Sequence, residues 1–330
     1  AEPPTIRIFH PFYANSSFNL DFDILIAFQG FDDGGIHYDT AHTACAILAD
    51  NQWDGYFSRD IHGNIKVHPA DGVLRDSSYY FCLPSSSDPS RDPYPVIPRF
   101  EDWRFPHNNL PPIWMRLKEQ LFAEQETKQA RSGHCSLSDC ADAVETAHLV
   151  PTTQSHWWRI NVMKQHVRAP LFSTNEIDCP ANPLPLRCDI RRMFDERHFP
   201  FVPKTAIARD QERMLSPPQY TTSQRDGHDN LTSSPEPDQD GNRGSQAKNP
   251  PKAQSVPYLV GHVFNSTPAG QLPGRWHNRR LNTLPSALSV ECLFARFAWT
   301  IFAPSVSRYF LDAGEGRRLL VWNDAKQPNE

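Results

Sequence analysis

The sequence predicts an α+β protein built from an N-terminal α+β unit, a central strand-strand-helix segment and a C-terminal strand followed by helices. Three observations carry this prediction. Short runs rich in β-branched and aromatic residues, DILIAF, SYYFCLP and VPYLVGHVF, read as strands. They are interspersed with segments whose apolar residues recur at helical spacing, such as IWMRLKEQLF and VECLFARFAWTIF. The 330 residues, 38% of them hydrophobic, are enough to bury a sizeable core.

Taken in order, residues 1–110 form the N-terminal unit. DILIAF and SYYFCLP are its strands, DTAHTACAILAD its helix, capped by Asp39, and GYFSRDIHGNIKVH a hairpin turning at Gly63 and Asn64. His37, His42, His62 and His68 are scattered and read as exposed or internally satisfied, with no metal needed. Residues 111–130 predict a connecting helix that starts after a proline pair and carries Ile113, Leu117, Leu121 and Phe122 on one face. In residues 131–204 a strand ends near His148, a helix starts near Ser155 and a short helix runs from about Asp189 to Glu196. Trp157 and Trp158 open the first of these helices; core packing is the expectation, stacking on bases the alternative.

Residues 207–256 include SPPQYTTSQRDGHDNLTSSPEPDQDGNRGSQAKNPPKAQ, with one aromatic and almost no aliphatic residue. Such a stretch cannot offset its ordering entropy and is expected to be a disordered linker. Residues 257–323 resume with the strand VPYLVGHVF, then two helical segments broken at Pro304, the second covering an apolar face of an earlier zone.

With 33 Lys and Arg against 38 Asp and Glu the net charge is -5, so no global positive field draws the chain to nucleic acid or anionic membranes, and any such contact must be local. Seven cysteines, an odd number, suit reduced thiols and an intracellular protein better than a disulfide framework. Cys135 and Cys140 are separated by four residues and Cys179 and Cys188 by eight; these are not zinc-knuckle spacings, and no structural zinc is expected. The opening AEPPTIRIFH lacks the basic and apolar regions of a secretion signal, and its start at Ala suggests a trimmed or partial chain. The longest apolar stretch, LFARFAWTIFAP at 293–304, contains Arg296 and is too short to span a bilayer, so no membrane anchor is expected.

One constellation carries chemistry. Ala147, His148, Leu149, Val150 and Pro151 are followed by Asn182, Leu184, Leu186, Arg187, Asp189, Ile190, Phe194 and Asp195. In this order and spacing the segment 131–204 resembles the HNH endonuclease family, of ββα-metal type, and within it a fungal branch. GGIHYDTAHTACAILADNQWDGYF, YPVIPRFEDWRFPHNNLPP and ALSVECLFARFAWTIF are similar to segments that accompany this domain in fungal proteins. The resemblance implies hydrolysis of nucleic-acid phosphodiesters, DNA before RNA. It makes His148 the general base on the attacking water, Asn182 its orienting partner, and the last motif position a ligand of a divalent ion such as Mg.

That last position is Arg191, and Ala147 fills the position before the base, where the wider family often has Asp or His. An arginine has no lone pair to offer a metal, and its fixed charge repels one, so the divalent ion is doubtful. Three readings follow. Glu145, Asp189 or His198 substitutes as metal ligand; Arg191 clamps the phosphate, with Arg187 and Arg192 completing an anion site; or Arg191 pairs with Asp195 four residues on as a surface bridge. Beside the nuclease reading stands a catalytically degenerate fold that binds nucleic acid or protein without cutting. A third reading makes the chain an interaction scaffold whose linker displays partner motifs.

Overall fold

The computed structural model describes residues 2–13, 24–84, 94–125, 133–167, 176–205, 256–266, 270–306 and 318–322. It confirms an α+β architecture. The largest sheet has four strands in the order β2 (Ile24–Gln29), β1 (Thr5–Phe9), β6 (Ser78–Cys82), β4 (Tyr56–Ser58). β1 runs antiparallel to β2 and parallel to β6, and β6 pairs antiparallel with β4. β1 is not among the strands predicted above, although TIRIF alternates, with Ile6 and Ile8 inward and Thr5 and Arg7 outward.

Between β2 and β4 lie the short β3 (Ile36–His37), paired with β5 (Val73–Leu74), and helix α1 (Tyr38–Leu48). His37, not Asp39, stands at the N-cap of α1 and makes no side-chain cap; Asp39 lies in the first turn, where its charge suits the helix dipole. The chain turns at Gly63, whose φ of 75° suits glycine, and Val67 N–H donates to Phe57 O across the turn, the hairpin expected there. Helix α2 (Pro112–Gln125) buries Ile113, Trp114 and Leu117, while Phe122 stays exposed; the apolar face is centred one turn earlier than the pattern suggested.

In the central segment β7 (Val144–His148) pairs antiparallel with β8 (Pro183–Arg187), and α4 (Cys188–Asp195) follows directly. Leu184 and Leu186 are fully buried and alternate with half-exposed neighbours, and Ile190 and Phe194, four apart on α4, pack onto them. Between the strands lies α3 (Ser155–Ile160), whose Trp157 and Trp158 are both 1% exposed. Trp157 stacks on Trp103, so this pair belongs to the core.

β9 (Phe201–Thr205) pairs antiparallel with β10 (Pro257–Gly261), and α5 (Gln271–Trp276) and α6 (Val290–Ile301) follow. Ser289 caps α6 by accepting from the N–H groups of Glu291 and Cys292. Every residue of α6 is buried, because the helix runs through one continuous core built from all of these segments. The predicted linker, apart from Val256, and most of the predicted second C-terminal helix lie outside the described residues.

Candidate active site

His148 closes β7. Strand alternation sends Ala147, fully buried, toward the α4 side with Glu145, while His148 faces the other way and stays half-buried. The chain beyond it is held by Asn182, which is fully buried. Its Oδ1 accepts from Val150 N–H at 2.8 Å, and its Nδ2 donates to Val150 O and Ile177 O, each at 2.9 Å. Leu149 N–H donates to the Asn182 carbonyl as well. One amide thus ties the turn after β7 to the 3-10 turn Glu176–Asp178.

That turn brings Asp178 to the histidine: His148 Nε2 lies 3.1 Å from Asp178 Oδ1. The His148 side chain is 31% and the Asp178 side chain 40% exposed, so both are open to water and substrate. Asp178 is absent from the predicted site. NEIDCPAN contains no spacing that points to it, and only the closure of the turn by Asn182 places it.

The arginines of β8 and α4 are all engaged with carboxylates. Arg187 donates to both oxygens of Asp189, at 2.6 and 2.8 Å, and Arg192 Nε donates to Glu196 at 3.1 Å. Arg191 Nη1 donates to Glu145 Oε2 at 2.6 Å, and its Nε is 3.3 Å from Asp195 Oδ2. The expected bridge to Asp195 is therefore present, but the shorter contact crosses from α4 to β7.

A divalent ion fits poorly here. Ala147 and Arg191 supply no donor. Glu145 and Asp189, two of the candidate substitutes, are committed to Arg191 and Arg187, and His198 Nε2 lies 3.4 Å from Glu196.

Among the described residues, three potential metal donors converge elsewhere, at Asp32, His262 and His277. Sequence spacing cannot reveal this group, because its members lie in three distant segments. Asp32 Oδ1 accepts from Lys204 Nζ at 2.5 Å, His277 Nε2 at 2.9 Å and Asn278 Nδ2 at 2.9 Å, and Oδ2 accepts from His37 N–H at 2.8 Å. Burial would raise the Asp32 carboxyl, but Lys204, aided by His277 and His262, outweighs it and holds the group well below the carboxylate range.

Two facts count against a metal in this cluster. His277 Nδ1 accepts from Val263 N–H at 3.1 Å, so the neutral ring carries its proton on Nε2, the atom that faces Asp32. The Lys204 ammonium already sits 2.5 Å from Asp32 Oδ1 and would repel a divalent ion bound to that oxygen. The cluster is a buried ion-pair network that joins the β2–β3 turn to β9 and to the residues after β10 and α5.

The seven cysteines are free; Cys135 and Cys179 are buried and Cys188 is exposed. Among the described residues no helix is long and apolar enough to cross a membrane.

The strand pair, the helix behind it and His148 at the strand end are the features of an HNH-type nuclease domain. A family described as HNH endonuclease matches residues 131–202, which supports such a domain in this part of the chain. No curated protein and no solved structure matches the chain.

Proposed function

We propose that residues 131–202 hydrolyse nucleic-acid phosphodiesters, DNA in preference to RNA, with His148 as the general base. The observation that carries this reading is the contact of His148 Nε2 with Asp178 Oδ1 at 3.1 Å. A carboxylate there holds the proton on Nε2 and leaves the Nδ1 lone pair for water. As the water oxygen bonds to phosphorus, His148 takes its proton; the bond to the leaving oxygen breaks, and that oxygen is protonated by solvent. Asn182 acts as the positioning residue, because it sets both the turn after His148 and the turn of Asp178. Arg187, Arg191 and Arg192, each held by a carboxylate, are assigned to flanking phosphates of the bound strand, since Arg191 is drawn by Glu145 to the face of β7 opposite His148.

A second reading is favoured by the Glu145 contact of Arg191. A guanidinium fixed where the family carries a metal ligand marks a domain that binds nucleic acid, or a protein, without cutting it. Plasmid cleavage separates the two when run with Mg, Mn, Ni or Zn and with chelator, on the native chain, His148→Ala and Arg191→His. Cleavage by the native chain that is lost in His148→Ala supports the nuclease. Absence of cleavage in folded native protein, under every condition, rejects it and leaves the binding module.

A further inference from the structure

We propose that Arg296, which lies beyond the matched HNH segment, is a positioning residue for His148. The proposal rests on the nuclease reading for its consequence in catalysis, but its geometry stands independently.

Arg296 sits in the middle of α6 and is fully buried. Its Nη1 donates to the carbonyls of His148 and Leu149, each at 3.4 Å, and its Nη2 donates to the carbonyl of Phe194. The guanidinium lies over the Phe194 ring, 3.4 Å from its centroid, and 4.6 Å from that of Trp299. Three backbone carbonyls and two aromatic faces therefore receive its charge.

Placement of a guanidinium in this core is costly, since burial strips the ion of its hydration. The neighbouring residues Leu293, Phe297 and Ile301 of α6 are apolar and buried. What an apolar side chain cannot do is bond carbonyls. Phe194 O belongs to the last turn of α4, where it also accepts from Arg197 N–H at 3.0 Å and the helix dipole favours a cation. His148 O and Leu149 O belong to the end of β7 and the turn that follows. One side chain thus fixes the end of the strand that presents the base against the end of the helix that presents Arg191.

Asn182 grips the same turn from within the segment, through Val150. His148 is consequently held between an amide of the HNH segment and a guanidinium supplied from α6. The catalytic geometry does not belong to residues 131–202 alone.

The test uses the full chain, labelled with ¹⁵N on histidine, with the His148 ring signals assigned by their loss in His148→Gln. At pH 8 the native His148 should show the Nε2–H tautomer fixed by Asp178. In Arg296→Met that signature should give way to mixed tautomers, as in Asp178→Asn, while far-UV circular dichroism and cooperative unfolding are retained. Cleavage should lose at least about tenfold in kcat with KM little changed, and Arg296→Lys, which keeps the charge but reaches fewer carbonyls, should recover part of the loss. If Arg296→Met does not fold, Arg296→Lys is read for the tautomer in its place. A native tautomer signature in a folded Arg296 variant overturns the proposal. Absence of cleavage in the native chain would reject the nuclease reading, and the tautomer measurement would still decide the positioning role.

Discussion

Arg191 Nη1 stands 2.6 Å from Glu145 Oε2, an ion pair that joins the helix of the HNH segment to the strand bearing its histidine. The guanidinium has no lone pair to offer a metal, and it engages the Glu145 carboxylate as well. Replacement of this arginine therefore changes two potential ligands at once.

Arg191→His should release Glu145 and Asp195 and supply an imidazole beside them. Calorimetric titration with Mn or Zn is expected to detect one divalent site in the variant and none at this position in the native chain. Because the Arg191 side chain is 39% and that of Glu145 49% exposed, the lost bridge should cost no more than about 1 kcal/mol in urea unfolding. Equal metal uptake by both proteins would show that the guanidinium is not what excludes the ion.

His148→Ala should reduce phosphodiester cleavage by about a hundred- to ten-thousand-fold, the range of a positioned general base. Asp178→Asn keeps the ring in place but no longer favours the Nε2–H tautomer, and it should lower kcat by at least about tenfold. Neither side chain is buried, so both variants should unfold at nearly the native midpoint. Full activity of Asp178→Asn would remove the aspartate from the mechanism.

Asn182→Ala should be among the most damaging substitutions in the central segment. It strands the Val150 N–H, the Val150 carbonyl and the Ile177 carbonyl in the interior, where each unmade bond costs about 1 kcal/mol or more. A loss of about 3 kcal/mol in urea unfolding is expected. A loss below about 1 kcal/mol would mean that the turns close without this amide.

Lys204→Met leaves the Asp32 carboxylate buried without its ammonium partner; both side chains are 6% exposed. Breaking such a pair typically costs about 3–5 kcal/mol. The additional change Asp32→Asn should recover part of this loss, since a neutral amide tolerates burial better than an unpaired charge. A double variant less stable than Lys204→Met would point to a larger role for the bonds from Asp32 to His37, His277 and Asn278.

Acid should destabilise the protein before its carboxylates titrate. Burial, reinforced by Lys204, lowers the His37 imidazole from 6.5 to about 3, and the same causes hold His262 well below its ordinary value. His42, His107, His166 and His277 are lowered too, each chiefly by burial. In that window the unfolded chain binds protons that the folded chain refuses, so stability decreases as pH falls. His37 alone should account for roughly 2 kcal/mol of this loss between pH 6.5 and 4.5. The depressed Asp32 carboxyl adds a loss in the same direction at still lower pH. Urea midpoints at pH 7, 5.5 and 4.5 should decline, and His37→Gln should flatten the trend; a midpoint constant over this range would contradict these assignments.

The sequence by itself determined the α+β class, the strand ending at His148, the helix after Arg187 and the lack of a metal-donor atom in the Ala147 and Arg191 side chains. These are local properties: alternation in β8, i to i+4 spacing in α4, and the chemistry of single side chains in a spaced motif. It also determined that Trp157 and Trp158 could serve as apolar anchors. Tertiary structure decided what surrounds the histidine. Asp178 reaches His148 only because Asn182 closes one turn on another, Glu145 meets Arg191 only across the packed strand and helix, and Arg296 arrives from a helix beyond the predicted linker. The Asp32, Lys204, His262 and His277 network gathers four distant segments. Contacts of this kind carry no period in the chain; they are fixed by the burial of apolar faces in one common core, which brings polar groups together and obliges them to pair.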